Sequence, residues 1–292
     1  MYPTRSRWAV LVFLVPPLLF YGATVLFPIG EAMVLSLYNW GGITPAKFVG
    51  LANYSQMFGD PTFREAARNS LVYLVVSLVL EIGLGLVIAN ALSYVVRRWR
   101  DLIKTLYLLP AILSTVTISL FFQRVYSSEP KGLVDQLLSA VGLNSLSQPW
   151  LSDLHTALIA VSIPDGWRLM GLYTVILLAA ILTVPKEVEE AARLDGATER
   201  QVFTKIRLPH LRPVLLTTLI MAATFGLRGF DIPYLLTNGG PGTSTELLTT
   251  YMYQQAFTST NFGYASTLSV FIVVECVAAV GIILLLMRRR VR

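Results

Sequence analysis

Long apolar runs alternate with short polar segments along the chain, at about 9–29, 70–95, 105–126, 155–184, 213–236 and 266–287. A helix needs roughly 20 mostly apolar residues to cross a bilayer, and each run reaches that length. Backbone in hydrocarbon must satisfy its own hydrogen bonds, so a span is a helix or part of a closed barrel. Barrel strands alternate in polarity, and these runs do not. The pattern predicts an all-α integral membrane protein with six transmembrane helices. Arg5 and Arg7 precede the first run as in a signal peptide. That run is longer than a signal core and no small-x-small cleavage site follows, so it reads as a span.

Composition agrees with the pattern. The 292 residues are 54% hydrophobic and 14% charged, against about 25% charged in soluble domains. The net charge of +6 does not point to nucleic acid, because the basic residues flank the apolar runs in clusters. Arg5 and Arg7, Arg97 to Lys104, Lys186 to Arg212 and Arg288 to Arg292 fall on one side. The other side holds only Lys47, Arg64, Arg68, Arg124 and Lys131. This bias places both termini and residues 186–211 in the cytoplasm. The single cysteine, Cys276, excludes an intrachain disulfide. No repeat or low-complexity linker divides the chain, so 1–292 reads as one transmembrane domain. The outer segments 30–69, 127–153 and 237–265 carry turn signals, strongest at Asn238-Gly239-Gly240-Pro241-Gly242.

The polar island at 186–211 reads as two short helical pieces joined by a bend. Val188, Ala191, Ala192 and Ala197 give the first piece small faces that another surface can approach closely. Gly196 suits a left-handed or tight turn, and Asp195 beside it can accept backbone N–H bonds there. Val202, Phe203 and Ile206 form an apolar stripe at helical spacing. Pro209 is expected to stop the second piece, and Pro213 to open the next span. From the pattern alone this island is either a docking element or a solvated loop on the lipid surface.

The spacing Glu190-Ala191-Ala192, Gly196, then Ile206-x-Leu208-Pro209 resembles the EAA loop of ABC importer permeases. Phe48 to Tyr54, Asn69-Ser70-Leu71, Leu108-Leu109-Pro110, Trp167-Arg168, Phe230-Asp231, Asn238 to Gly242 and Phe262 to Ala265 resemble the sugar and glycerol-phosphate (maltose-type) branch. The likeness covers nearly the whole chain. It implies the type I permease fold in a bacterial or archaeal cytoplasmic membrane. It also implies a second related permease subunit, two cytoplasmic ATPase subunits and an extracytoplasmic solute-binding protein. In that family the EAA loop forms a coupling helix docked on the ATPase. Carried over, Glu190, Ala191, Ala192, Asp195 and Gly196 sit at that contact, with Phe203 and Ile206 packed behind. The implied solute is a sugar or related polyol.

A charge at the bilayer centre costs about 2.5–3.5 kcal/mol on insertion scales, so charges in spans call for explanation. Glu81, Asp165, Arg168, Arg228, Asp231 and Glu275 are the cases. Trp167 and Arg168, an aromatic beside a guanidinium, suit a carbohydrate; the alternative is an ion pair of Arg168 with Glu81. Tyr173, Phe230, Asp231 and Tyr234 join Trp167, Arg168 and Glu81 as candidates for the solute path. Arg228 and Asp231, three apart, read more simply as a pair on one helical face. Gly83, Gly85 and Gly171 read as close-packing positions.

No phosphate loop, metal-ligand spacing or nucleophile elbow is present, and His155 and His210 are isolated. The chain is therefore expected to be no enzyme and to hold no cofactor, with ATP and Mg in the partner ATPase. Two other classes compete with this reading. An ion-gradient-driven secondary carrier would show internal repeats and matched broken helices. A membrane enzyme would show a catalytic cluster. Neither feature is evident.

Overall fold

The computed structural model describes residues 7–288. Arg5, Arg289, Arg290 and Arg292, on which the inner placement of the termini partly rests, lie outside the described residues. Among the described residues, four helices are long and apolar enough to cross a membrane. They are α1 (Val12–Leu35), α2 (Pro61–Ser93), the Arg212–Leu236 stretch, whose helix breaks after Leu227 and restarts at Asp231, and the Phe262–Met287 stretch. Two bent pairs raise the number to six if each is one span. The first pair is α3 (Arg97–Ile112) with α4 (Thr115–Val125), meeting at 98°. The second is α5 (Ala157–Ile181) with α6 (Lys186–Leu194), meeting at 73°.

The expected span 105–126 is thus not one straight rod. Pro110 sits in the last turn of α3, where it lacks an N–H and clashes with a continuing helix. Leu113 and Ser114 then turn to extended backbone and redirect the chain. The expected boundary at 70 also moves, since α2 begins at Pro61.

The chain groups into two units, Met1–Pro61 with Met252–Val273 and Thr62–Tyr251 with Val274–Arg292. In the first, strand β1 (Tyr38–Asn39) pairs antiparallel with β2 (Lys47–Phe48), with Tyr38 opposite Phe48. A short helix, Ala52–Gly59, follows. Its buried Asn53 donates to the carbonyls of Ser36 and Tyr38 at 2.8 and 2.9 Å. Tyr264 donates to Asp60 at 2.8 Å. A Cβ at Gly263 would collide with the Tyr38 carbonyl. These contacts give the Asn53-Tyr54 and Phe262-Gly263-Tyr264 motifs a packing reason.

In the second unit α5 is the central element. Its buried face includes Val161, Tyr173, Leu177 and Ile181. Leu177, Leu178 and Ile181 cluster with Ala89 and Leu92 of α2 and with Leu211. At Gly171 a Cβ would fall on the Tyr107 carbonyl, so α3 crosses α5 backbone against backbone. Gly85 is in ordinary contact with Thr174, whereas Gly83 faces open space and does no packing work. The buried Asn69 amide donates to the carbonyls of Thr243, Ser244 and Glu246, each at 3.1 Å, and Ser70 Oγ accepts from the Leu248 N–H at 3.0 Å. The Asn69-Ser70 pair therefore pins the turn that begins at Asn238. In that turn Asn238, Gly239 and Gly242 all adopt positive φ.

Candidate functional site

The loop 186–211 contains the two helical pieces its pattern predicts. Pro185 precedes α6 in extended backbone. Glu187 and Glu189 lie in the first turn of α6 and Arg193 in its last, the arrangement that suits the helix dipole. The helix ends in a left-handed glycine stop. Gly196 has φ +85°, its N–H donates to Arg193 O at 3.0 Å, and the Ala197 N–H donates to Ala192 O at 2.9 Å. Thr198 and Gln201 form a reciprocal capping box that starts α7 (Glu199–Val202).

Two expectations for this loop are corrected. The Asp195 carboxylate accepts no hydrogen bond among the described residues; Thr198 does the capping, because it stands at the helix start and Asp195 does not. Pro209 also does not stop the second piece. A wide turn at Phe203–Arg207 leads into Leu208–His210, and helix resumes at Arg212. A turn with i→i+5 bonds loosens the backbone just before the proline, where a regular helix would meet its ring.

The centre of the loop is a clamp around Arg207, whose side chain is almost wholly buried. Its Nε and one terminal nitrogen donate to both oxygens of Glu189 at 2.7 and 2.8 Å. The other terminal nitrogen donates to Asn90 Oδ1 at 2.7 Å and Ser93 Oγ at 3.0 Å. The guanidinium carbon lies 4.7 Å from the centre of the Tyr94 ring. Such a bidentate guanidinium, engaged on both sides, is geometry that a lysine cannot reproduce. A second layer surrounds it. Arg193 donates to Glu199 at 2.8 Å and to Glu189 at 3.3 Å, and the Tyr94 hydroxyl donates to Glu199 at 2.6 Å. A cleft of about 230 Å³ opens beside this network, with Lys186, Glu190 and Tyr94 among its walls.

Hydrogen bonds from Arg207 hold the Glu189 carboxyl below its usual range. Those from Arg193 and Tyr94 take Glu199 down to about 2. A depressed carboxylate contributes stability that is present above its unfolded value of about 4.3 and is lost as pH falls through the folded value. The Arg193–Glu199 bond is therefore expected to persist on acidification from neutrality through pH 4.3 and to fail only toward about 2. Carbon NMR of labelled Glu199 reads the midpoint directly; a midpoint near 4 would contradict the bond.

The sequence candidates separate cleanly here. Glu190, Ala191, Asp195 and Gly196 are exposed, Ala192 is half-buried, and Phe203 and Ile206 are half-buried behind them, beside fully buried Val202. Sequence reasoning missed two features. Glu189, not Glu190, is the buried carboxylate. Leu194 is 89% exposed on the same outer surface as Ala191.

Within the spans, Tyr73, Ser77 and Glu81 recur every four residues on α2 and are all buried. Asp165 and Tyr173, eight apart on α5, are buried as well. Tyr73 donates to Asp165 at 2.9 Å, and Arg168 donates to Asp165 at 2.7 and 3.0 Å. Arg168 thus pairs with Asp165 and not with Glu81, because Asp165 lies one helical turn before it on the same helix. Ser77 Oγ, one Glu81 oxygen and the Tyr173 hydroxyl have no partner among the described residues. Trp167 packs away from this seam, on Phe121 and Phe122 at 6.3 and 5.6 Å. Phe230 stacks on Tyr234 at 5.1 Å. Arg228 and exposed Asp231 form no ion pair among the described residues. The helix ends at Leu227, so the helical spacing that would join them is absent.

The chain matches the family described as binding-protein-dependent transport system inner membrane component over residues 81–292. It is 38% identical to the probable ABC transporter permease protein YurN of Bacillus subtilis, over 91% of each chain. The chain belongs to the binding-protein-dependent transport permeases. This permease is also 34% identical to the multiple sugar-binding transport system permease protein MsmF of Streptococcus mutans, over 92% of each chain. Its fold is that of a bacterial ABC transporter involved in the import of the acidic polysaccharide alginate, with a TM-score of 0.82 covering 98% of this chain and 96% of that one. The permease is an inner membrane component and a transporter subunit. The secondary-carrier alternative finds no support.

Proposed function

We propose that this permease forms half of the translocation path of an ATP-driven importer for a sugar or related polyol. A second related permease subunit completes the path. An extracytoplasmic binding protein delivers the solute, and two separate ATPase subunits supply the work, holding ATP and Mg themselves. The observation that carries this reading is α6: a helix clamped from behind at Glu189 while Ala191 and Leu194 face outward with small and apolar surface beside the exposed carboxylate of Glu190. Such a face is shaped for close approach by another protein. The names of relatives, including MsmF and the lactose transport system permease protein LacF of Rhizobium radiobacter, support a sugar.

The cycle follows from these parts. ATP binding closes the ATPase pair and displaces α6, the spans turn, and the internal path opens to the docked binding protein. Asp165 and Arg168 offer paired acceptors and donors for hydroxyl groups along that path. Reconstitution of the permease with its partners tests the reading. Uptake should require ATP and the binding protein together. Uptake by the permease alone, driven by an ion gradient, would refute it. Arg168→Met should lower uptake by about tenfold or more with ATP hydrolysis retained, because it removes the Asp165 partner as well as the donors. Undiminished uptake would remove Arg168 and Asp165 from the path.

A further inference from the structure

The Arg207 clamp joins three separate pieces of chain. Glu189 comes from α6, Arg207 from the return piece after α7, and Asn90 and Ser93 from the end of α2. Four of the five N–H donors of a guanidinium are engaged, two on each side. Tyr94 then covers its face and ties Glu199 to the same end of α2. The apolar support around it is continuous, because Leu92 of α2 and Leu211 of the loop are buried in one cluster with Val184. Any displacement of α6 must either carry the end of α2 with it or break a buried charged network. Breaking one partner of such a network costs far more than moving it intact.

We infer that Arg207 is a positioning residue that passes the motion of α6 directly to α2, through Asn90 and Ser93, without needing the α5–α6 junction to transmit it. This rests on the proposed coupling role of α6. The prediction separates docking from transmission. Glu190, Ala191 and Leu194 face outward and set the grip of the ATPase. Arg207, Asn90 and Ser93 face inward and decide whether grip becomes movement.

The test uses the whole reconstituted transporter with its binding protein and a cysteine at Ala191 as a cross-linking probe for the ATPase. Cys276, the one native cysteine, is replaced by serine. The double variant Asn90→Ala with Ser93→Ala removes the α2 half of the clamp and leaves Arg207 paired with Glu189. We expect the cross-link unchanged, binding-protein-stimulated ATP hydrolysis within about twofold of the parent, and uptake about tenfold lower, so that more ATP is spent per solute. Arg207→Lys keeps the charge and loses the fork, and should fall as far as Arg207→Met. Parent-like uptake in the double variant would overturn the inference. Rescue by lysine would also overturn it, since a plain charge would then suffice. Loss of the cross-link in the double variant would overturn it too, by showing that these residues merely seat α6. A parent that gives no cross-link would sink the underlying coupling role itself, which is a different outcome from a seated but ineffective lever.

Discussion

Gly171→Val should leave no assembled permease to purify. The position lies within α5, where α3 crosses it with the Tyr107 carbonyl against the Gly171 backbone. Even the single methyl of alanine would coincide with that carbonyl, and neither partner is a flexible side chain. Overpacking ordinarily costs about 1–3 kcal/mol because side chains shift to relieve it. Here two helices must separate, which also strips the packing of the α5 cluster. Gly171→Ala should be the milder version, with a clear loss of yield and melting temperature. Gly83→Ala is the control, because that glycine faces open space. Gel filtration and thermal melting in detergent read all three. A Gly171→Val protein that elutes and melts like the parent would refute the crossing.

Gly196→Val should give an assembled transporter that hydrolyses ATP and imports little. The reason is backbone conformation, not crowding. Gly196 sits at φ +85° with nothing near the site of a Cβ. An ordinary L-residue in the left-handed region costs roughly 1–2 kcal/mol, and a β-branched one is a worse fit. To avoid that cost the turn must rewind. Rewinding shifts α6 against α7 and pulls Arg193 off Glu199. The spans lie outside this change, so folding should survive. A fall in uptake of about tenfold or more is expected, within the usual range of coupling free energies. Gly196→Asn tolerates the left-handed region and should stay near the parent. Equal damage from asparagine and valine would show that the backbone argument is wrong.

Much of this was legible in the chain. The apolar runs marked the long helices, since lipid leaves the backbone few choices, but not the sharp bends that leave four unbroken candidates among the described residues. Gly196 announced the bend between α6 and α7, and Ala191 and Ala192 marked the small side chains of α6 on which the proposed docking rests. The clamp was not legible, for a specific reason. Glu189 and Glu190 are adjacent and identical in type, and only the fold decides which one turns inward. Its partner, Arg207, lies 18 residues away, beyond any helical spacing. One signal was available: Arg207 stands among Ile206, Leu208 and Leu211, where an unpaired charge would be costly. The break at Leu113 was also foreshadowed, by Pro110. The Arg228–Asp231 pair does not form because the helix ends at Leu227, so a spacing of three no longer places the two side chains on one face.

Leu194 carries a last consequence. A leucine this bare, on a helix rich in charged residues, holds ordered water that it would shed on any apolar contact. If α6 docks on an ATPase as proposed, a copy of the permease produced in excess of that motor would display the sticky knob permanently. Cells making it alone should clear it quickly, and co-production of the motor should lengthen its lifetime. Changing Leu194 to a polar residue should protect the orphan and weaken the finished machine at one stroke.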